Sequence, residues 1–362
     1  MKPVTEDELA EAIATAKGPL EIIGGDTRKI GRAVDGERLE VSGLSGITLY
    51  EPGALTLVAQ AGTPVAEIEA ALAAENQRLP FEPIDYRRLQ ATSGEPTIGG
   101  VVATNSSGPR RIQAGACRDS LIGVRFVDGK GNILKNGGRV MKNVTGYDLV
   151  KLMAGSYGTL GVLTEVSFKV LPAPEASATV VVDGLSDVDA VAALAAALGS
   201  PFDVNGAAHD PASGLTAVRV EGLAGSVEYR AAELVEKLSG RVADFDWSAV
   251  RDLHGFADKA GDVWRFSVKP SDGPVLGERL REKGAELLYD WGGGLVWACV
   301  PSGDMRVALD GIEGFGSLVR ASEQTKNDLS VFHPESEGIA LLSKGLRAKF
   351  DPRKILNTGR MG

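Results

Sequence analysis

The chain has 362 residues, of which 43% are hydrophobic, 24% charged and 6% aromatic, a composition typical of a folded globular protein. Its length predicts two domains with room for a large ligand site. The net charge of −9 argues against nucleic acid as the main partner, because binding to a phosphate backbone needs a basic face.

The cysteine and hydropathy patterns indicate the cellular compartment in which the chain is expected. Cys117 and Cys299 are far apart and neither belongs to a C-x-x-C pair, so we expect a reduced, cytoplasmic chain without its own iron–sulfur or zinc site. The first 20 residues predict an amphipathic helix with Gly18 after its end, not a signal segment. No run of 18 apolar residues occurs, so no transmembrane segment is predicted.

The first element after this helix is a short predicted strand at 19–23, which runs into G-G-D-T-R-K-I-G-R at 24–32. Paired glycines followed by Thr27 and Arg28 are typical of a phosphate-binding loop, because glycine permits close approach and the side chains bind oxygens. The stretch matches neither G-x-G-x-x-G nor G-x-x-x-x-G-K-[ST]. A plain hairpin turn is the alternative.

The remaining elements follow from periodicity and turn signals. In the first half we predict strands at 39–41, 47–51 and 57–61, a helix at 63–76 with Thr63 as its cap and Pro64 in its first position, a hairpin at 120–134, a helix at 147–153 and a strand at 162–171. In the second half, helices at 188–198 and 227–238 and strands at 215–221, 263–269 and 294–301 predict a small α+β cap of the split βαβ type.

A second glycine-rich stretch covers residues 96–119. It combines glycines with short polar side chains, which lets backbone N–H groups approach a ligand: Gly99, Gly100, Thr104, Asn105, Ser106, Ser107, Gly108 and Gly115. Arg110, Arg111 and Arg118 add cations that suit an anionic group such as a pyrophosphate. A glycine- and serine-rich surface loop is the alternative interpretation.

A third glycine-rich stretch, residues 142–172, places Gly155, Gly158 and Gly161 between the predicted helix and strand. One such loop is weak support for a ligand site. Three of them, followed by the linker Pro172-Ala173-Pro174, favour a single large ligand over ordinary surface loops.

The order of these motifs resembles the FAD-binding domain of the vanillyl-alcohol oxidase / p-cresol methylhydroxylase family. The motifs are G-G-D-T-R, T-I-G-G-x-x-A-T-N-S-S-G, A-C-R-D-S-L-I-G and G-Y-D-L-x-K-L-x-x-G-S-Y-G-T-L-G-V-L-T-E. The tail F-D-P-R-K-I-L-N-T-G-R-M at 350–361 is similar to that of FAD-binding subunits of glycolate-oxidase-like complexes. The resemblance covers residues 19–172 and the tail, and it is weak between them.

The resemblance implies an α+β fold. We expect a two-part FAD-binding domain at 1–172 with a subdomain boundary near residue 50, a smaller α+β, ferredoxin-like cap domain at 173–335, and a tail at 336–362 that returns to the FAD domain.

Site residues are carried over from the same motifs. Gly24, Gly25, Asp26, Thr27 and Arg28 are expected to contact the pyrophosphate. Gly99, Gly100, Ala103, Thr104, Asn105 and Gly108 are expected to line the flavin, with Gly115, Arg118 and Asp119 in the same wall. Gly155, Ser156, Gly158, Thr159, Leu160, Gly161, Val162 and Thr164 are expected to hold the adenosine side and ribityl chain, and Asn357 to lie by the flavin ring.

Two departures from the family pattern matter. Thr358 stands where the family has proline, which leaves the direction of the chain after Asn357 open. Neither of the first two glycine loops contains the His that tethers flavin in some members, and we expect Cys117 to be a small buried residue, so FAD is expected to be non-covalent.

No catalytic base is recognised, since His209, His254 and His333 are isolated and the family's metal-site motif is missing. The resemblance therefore implies an FAD-dependent oxidoreductase subunit, with a larger flavoprotein and an iron–sulfur subunit as partners and a small 2-hydroxy acid (glycolate to glyoxylate) as substrate. A stand-alone oxidoreductase and a flavin-binding structural subunit are the alternatives. Membrane association is expected only through partner subunits.

Overall fold

The computed structural model describes residues 1–138 and 146–362, so the start of the third glycine-rich stretch, 142–145, lies outside the described residues. The chain forms two compact units. Unit 1 comprises Met1–Ser107, Gly115–Ala173 and Pro334–Gly362, and unit 2 comprises Gly108–Ala114 and Pro174–His333. The short segment Gly108–Ala114 was expected in the FAD domain and packs instead with unit 2.

The first half of the described chain contains α1 (Glu6–Thr15), β1 (Leu20–Ile23), β2 (Glu37–Glu40), β3 (Ile47–Glu51), β4 (Thr56–Gln60), α2 (Val65–Ala74), β5 (Gln77–Arg78), α3 (Arg87–Gln90), α4 (Ile98–Thr104), α5 (Arg111–Ala114), α6 (Cys117–Ser120), β6 (Leu121–Val127), β7 (Ile133–Gly137), α7 (Leu149–Met153), β8 (Val162–Lys169) and β9 (Leu171–Pro172).

The second half contains β10 (Ala176–Asp183), α8 (Asp187–Leu198), β11 (Gly206–Asp210), β12 (Leu215–Gly222), α9 (Ala224–Leu238), β13 (Arg241–Val242), α10 (Trp247–Arg251), α11 (His254–Ala257), β14 (Asp262–Val268), α12 (Gly273–Arg281), β15 (Glu286–Asp290), β16 (Leu295–Val300), β17 (Gly314–Arg320), α13 (Glu323–Asp328) and α14 (Glu337–Phe350).

Unit 1 is built on a five-stranded antiparallel sheet in the order β3-β4-β8-β6-β7. Alternate residues of β4, β6 and β8 face a core that also takes in α2 and α4, and Phe81, Phe126 and Phe168 are fully buried there. The predicted hairpin is confirmed as β6 and β7, since the backbone N–H of Asp128 donates to Asn132 O across its turn.

A small parallel sheet of β1 and β2 carries the first glycine loop. The C-terminal tail pairs with the other edge of β1, where Leu20 N donates to Ile355 O at 2.7 Å and Asn357 N donates to Leu20 O at 3.1 Å. Arg353 caps the end of α1, because its guanidinium donates to Ile13 O at 3.0 Å. The tail therefore belongs to the structural frame of the first loop.

Two local predictions in unit 1 are wrong. Thr63 does not cap α2: Pro64 takes the N-cap position, while the Thr63 hydroxyl donates to Gln60 O at 2.7 Å and accepts from Gly46 N at 2.9 Å. Gly99 and Gly100 do not lie in a loop, because they form the first turn of α4, a helix capped by Thr97.

Unit 2 is built on an eight-stranded antiparallel sheet in the order β13-β10-β12-β11-β15-β16-β14-β17. The first half runs strand, helix, strand, strand, helix, strand from β10 to β13. The second half, β14 to β17, repeats the pattern with α12 as its first helix and a 3₁₀ turn at Met305–Leu309 in place of the second. The sequence predicted one such cap and missed the repetition.

The two halves of the sheet meet at β11 and β15, where a single register pair, His209 and Tyr289, joins them. A polar cluster reinforces this junction. The carboxylate of Asp187 accepts from the Tyr289 hydroxyl at 2.5 Å and pairs with Arg281 at 2.6 Å, so α8 of the first half is joined to α12 and β15 of the second.

None of the helices in the described part of the chain has the length and apolar character needed to span a lipid bilayer. The described residues also contain no cluster of three or more His, Cys, Asp or Glu side chains arranged to hold a metal ion.

Candidate functional site

A cleft in unit 1 collects residues from all three glycine-rich stretches and from the tail. It holds about 800 Å³ of empty space that is continuous with solvent. The predicted site residues that line it are Gly24, Gly25, Asp26, Thr27, Arg28, Gly99, Gly100, Ala103, Thr104, Ser156, Gly158, Gly161, Val162 and Asn357. Residues more than 300 positions apart in the sequence thus meet in one concave surface.

The first loop needs glycine because two backbone segments touch. A Cβ added at Gly25 would lie 1.6 Å from Glu95 O, and one added at Gly94 would lie 1.8 Å from Gly25 O. Asp26 follows in the left-handed region, with φ of 55°, and its carboxylate accepts from Arg38 at 2.8 Å. The close contact between the two backbone segments turns the chain sharply after β1. As a result, backbone groups of the first loop border the cleft.

The second stretch presents the start of α4 to the cleft. Thr97 Oγ1 accepts from Gly100 N at 3.3 Å, which is the N-cap contact. Gly99 packs against the neighbouring backbone, since a Cβ there would lie 2.7 Å from Ala61 O, whereas a Cβ at Gly100 would meet only the side chains of Thr97 and Arg28. Gly99 is therefore required by packing, and Gly100 borders the cleft.

Asn357 joins the first loop to the third. Its Oδ1 accepts from Ile22 N at 2.8 Å and its Nδ2 donates to Tyr157 O at 2.8 Å. Its own backbone is left-handed, with φ of 44°, a conformation that asparagine tolerates better than most side chains. Asn357 therefore lines the cleft and holds the first and third loops together, and its expected place by the flavin ring stays a prediction.

Arg28 is one of the two arginines among the described residues that line the cleft, the other being Arg360. It donates from Nη2 to Ile84 O at 3.0 Å and lies 5.9 Å from the ring centre of Tyr86. Its Nε is buried and finds no hydrogen-bond acceptor among the described residues. Burial lowers the pKa of this guanidinium below its ordinary value. A buried charge with an unsatisfied donor is stabilised by an anion that accepts from it.

Nine expected site residues do not line this cleft: Asn105, Gly108, Gly115, Arg118, Asp119, Gly155, Thr159, Leu160 and Thr164. Several have structural tasks instead. Asn105 caps α4 at its C-terminal end and its Oδ1 accepts from Arg118 N at 3.0 Å. The Asp119 carboxylate accepts from Ala116 N at 2.9 Å, and Thr164 Oγ1 donates to Glu6 at 2.5 Å.

Gly108 and Arg118 differ most from expectation. Gly108 belongs to unit 2, where its carbonyl accepts from Trp291 Nε1 at 3.2 Å. The Arg118 side chain is 51% exposed and lies 3.8 Å from Asp119. Neither lines the cleft, because Thr104 is the last residue of this stretch that does.

Some lining residues were not predicted: Ile22, Ile23, Val41, Ala61, Thr97, Tyr157, Leu163 and Arg360. Most are apolar or small, and Ile22, Ile23 and Leu163 belong to ordinary strands, so no local signal marked them. Thr97 had a signal, since a threonine three residues before Gly100 fits an N-cap. Tyr157 has φ of 53°, which sequence alone does not reveal in a tyrosine.

Cys117 is fully buried in the unit 1 core and does not line the cleft. Burial raises the pKa of its thiol, which keeps the sulfur protonated and unreactive. This placement supports the interpretation of Cys117 as a small packing residue.

Two of the histidines have defined packing roles. His209 is buried, with Nδ1 at 2.9 Å from Thr216 Oγ1. His333 Nδ1 accepts from Gly316 N at 3.2 Å, and burial lowers the pKa of its ring. Neither they nor His254 line the cleft.

A family model described as "FAD binding domain" matches residues 1–137. The chain is 36% identical over 359 residues to glycolate oxidase subunit GlcE of Escherichia coli K12, covering 98% of this chain and 95% of that protein. The chain belongs to the GlcE family of FAD-dependent oxidoreductases. The resemblance found in the motifs is confirmed.

Two further matches support more limited conclusions. The chain is 39% identical to glycolate oxidase subunit GlcD of Bacillus subtilis over 125 residues, which covers 34% of this chain and 25% of GlcD. A solved structure of alkyldihydroxyacetonephosphate synthase matches with a TM-score of 0.70 at 16% identity, covering 99% of this chain and 76% of that chain. The second match shows a shared fold alone.

Proposed function

We propose that this chain is the FAD-binding subunit of a glycolate-oxidase-like complex that oxidises a 2-hydroxy acid, glycolate to glyoxylate, with a larger related flavoprotein and an iron–sulfur subunit as partners. The observation that carries the proposal is the match to GlcE over nearly the full length of both chains. The name of that relative calls it a glycolate oxidase subunit.

The residues of the cleft fit FAD. Its glycine-bordered loops and the unsatisfied donor of Arg28 suit a pyrophosphate, and its apolar wall of Ile22, Val41, Ala61 and Leu163 suits a flat ring system. We assign the phosphate contacts to residues 24–28 and Gly100, and the remaining contacts to the other lining residues and Asn357. The predicted residues outside the lining are assigned supporting roles.

Bound FAD supplies the acceptor for the hydride that leaves the donor carbon. The chain's own residues bind the cofactor, orient it and exclude water from it. Arg28 places a positive charge at the phosphate end, and Asn357 fixes the distance between the first and third loops, so that both walls hold one shape.

The described lining of the cleft offers no uncommitted carboxylate, imidazole or amine to accept the proton of the substrate hydroxyl. It contains no His, Lys, Glu or Cys, its Asp26 carboxylate is already paired with Arg38, and Tyr157 is its one phenol. This supports a role in a complex over independent turnover. The partner, not this chain, would then supply the base.

The experiment compares the isolated, flavin-loaded chain with the chain co-expressed with a larger flavoprotein and a cysteine-rich partner. Glycolate or D-lactate is added without oxygen and bleaching of the flavin absorbance is recorded. We expect little bleaching by the isolated chain, co-purification of the three chains, and turnover only in their presence. Rapid bleaching by the isolated chain would contradict the subunit proposal and favour the alternative that the chain is a stand-alone oxidoreductase.

A further inference from the structure

α14 is a helix of unit 1 that buries none of its side chains. All of its 14 residues, Glu337–Phe350, are described, and none of them is buried. By contrast, α9 of unit 2 has 15 residues and buries Val227, Ala231 and Leu234. Because most helices in proteins are stabilised by packing of one apolar face, α14 lacks the contact that a helix of this length normally has.

The exposed side of α14 carries an apolar stripe. Ile339, Leu342 and Leu346 recur at helical spacing, and their exposed fractions are 52%, 65% and 39%. The stripe continues to Phe350, which packs against Phe126 of the unit 1 core with the ring centres 6.1 Å apart. The anchored end therefore fixes which side of the helix faces outward. A contiguous apolar stripe of this kind marks an interaction surface.

Two glycines border the stripe. Gly338 and Gly345 are seven residues, or two turns, apart, and a Cβ added at either would have no atom within 4 Å. Neither has a positive φ, and glycine weakens a helix relative to alanine. Nothing in the described part of the chain accounts for glycine at these positions. Their missing side chains permit the close approach of another helix.

The two ends of α14 carry charges of opposite sign. Glu335 lies just before the N-cap residue and Glu337 lies in the first turn, whereas Arg347 and Lys349 lie in the last turn. An identical helix that runs antiparallel complements this pattern, because each acidic end then meets a basic end. A surface of a single charge, such as an anionic membrane, would repel one of the two ends. The charges therefore favour a second copy of this chain.

An antiparallel pair centred on Leu342 brings the large and small residues together. Residues equally distant from Leu342 then lie at the same level, so Ile339 is level with Gly345 of the second copy and Leu346 is level with Gly338 of the second copy. A large side chain from one helix thus meets a glycine of the other, which allows the two helices to interdigitate.

We propose that α14 is the contact surface of a symmetric homodimer, in which the α14 helices of two copies of this chain pack antiparallel around Leu342. The same register brings Glu335 level with Lys349 of the second copy, so an ion pair lies at each end. Each helix is about 21 Å long, which puts this contact at the small end of interface sizes. We therefore expect a reversible equilibrium with a dissociation constant of about 1–100 μM.

The test is sedimentation equilibrium of the full-length, FAD-loaded chain at concentrations from about 1 to 500 μM, which span the expected dissociation constant. We expect the average mass to rise from one chain to two. Leu342→Gln should raise the dissociation constant at least about tenfold, because the central leucine occurs twice in a symmetric contact. Val188→Gln in α8 is the matched control, since Val188 is 66% exposed, and it should leave the dissociation constant unchanged.

Gly345→Leu distinguishes the fitted contact from general hydrophobic association. The leucine adds apolar surface and raises helix propensity. It should nevertheless weaken the dimer at least about tenfold, because its side chain fills the space that Ile339 of the second copy requires. Tighter association of this variant would overturn the proposal.

Glu335→Lys and Lys349→Glu test the antiparallel direction. Each variant alone places like charges at both ends of the dimer and should dimerise about three- to tenfold more weakly, an effect that high salt reduces. An equimolar mixture should form a heterodimer with the wild-type affinity, because each end then pairs a lysine with a glutamate. A fluorescent label on one variant detects it. A mixture as weak as the single variants would contradict antiparallel pairing.

A membrane surface and the larger flavoprotein are the other possible occupants of α14. A wild-type chain that stays monomeric at the highest concentration overturns the proposal. Leu342-dependent binding of that monomer to vesicles of phosphatidylglycerol and phosphatidylcholine would assign α14 to a membrane, and Leu342-dependent co-purification with the flavoprotein would assign it to that partner. Flavin absorbance and thermal unfolding of Leu342→Gln should match the wild type, because the replaced side chain is exposed.

Discussion

The side-chain amide of Asn357 donates to the backbone carbonyl of Tyr157 at 2.8 Å, and through its oxygen the same amide accepts from Ile22 N at 2.8 Å. A residue near the C-terminus thus connects the two loops that form opposite parts of the flavin cleft. The tail is a component of the site rather than an appendage.

Replacing Asn357 by Asp should weaken FAD binding. The carboxylate keeps the acceptor for Ile22 N but loses the donor, and it faces the Tyr157 carbonyl, which costs about 1–3 kcal/mol for an unsatisfied buried group. We expect a lower flavin-to-protein ratio and a raised FAD dissociation constant. Asn76→Asp is the control, because Asn76 is exposed and also left-handed. Equal FAD affinity of the two variants would contradict the positioning role.

Arg28→Ala should reduce FAD retention, because it removes the buried cation from the cleft. A charge-assisted hydrogen bond contributes about 1.5–3 kcal/mol, so the dissociation constant should rise roughly 10- to 150-fold. Fluorescence titration of the apoprotein with FAD measures it.

The variant Arg118→Ala tests whether Arg118 contacts FAD, as the sequence motif implies, or lies away from it, as the structure indicates. The sequence motif placed Arg118 at the flavin, whereas the structure leaves its side chain 51% exposed outside the cleft lining. We expect FAD affinity within about a factor of two of the wild type for this surface substitution. A loss as large as that of Arg28→Ala would show that the motif was the better guide.

Gly158→Ala should lower both FAD content and stability. Gly158 has φ of 71°, and an added Cβ would lie 2.8 Å from Asn357 Nδ2, so the new methyl group displaces the amide that joins the loops. The matched control is Gly184→Ala in unit 2, where φ is 72° and no atom lies within 4 Å of the added Cβ. Both variants carry about 1–2 kcal/mol of left-handed strain. We expect Gly158→Ala to lose flavin and Gly184→Ala to retain it. Flavin absorbance and thermal unfolding are measured for both variants.

The Asp187 cluster makes unit 2 sensitive to acid. Burial by itself raises the pKa of Asp187, but hydrogen bonds from Arg281 and Tyr289, together with the nearby ring of His209, outweigh it and hold that pKa below the ordinary value. A carboxylate with a lowered folded pKa contributes stability above its unfolded pKa, near 3.9, and loses it as pH falls further.

Asp187→Asn should therefore destabilise unit 2 at pH 7, by about 3 kcal/mol for a broken buried pair, and should flatten the fall in stability below pH 4. Denaturant unfolding at several pH values measures both effects. Asp183→Asn removes an exposed partner of Arg241 and should change stability by less than about 1 kcal/mol. An unchanged pH dependence in Asp187→Asn would assign the acid sensitivity to other groups.

The sequence predicted the elements that local rules determine. The hairpin at β6 and β7 followed from its Asp128-Gly129 turn, and α8 followed from the alanine-rich pattern of residues 188–198. Gly25 and Gly99 were recognised because close approach of another backbone segment leaves a trace in the residue type. The motifs identified the family and its cofactor.

What the sequence did not reveal depends on contacts distant along the chain. Tyr157 and Ile22 meet Asn357 only after the tail has paired with β1. The repetition in unit 2 was missed because no helix was predicted at α12, and because a 3₁₀ turn at Met305–Leu309 stands in the place that α9 takes in the first half. Arg118 was misplaced because a motif gives the order of residues but not the direction in which the chain leaves the cleft.

The central claim is that this chain binds FAD in the unit 1 cleft without a covalent bond. The direct measurement is the absorbance of the purified protein before and after acid precipitation. We predict yellow protein whose flavin passes into the supernatant, because Cys117 is buried away from the cleft. Colour that stays in the pellet would contradict the non-covalent site, and colourless protein that cannot be reconstituted with FAD would contradict the account as a whole.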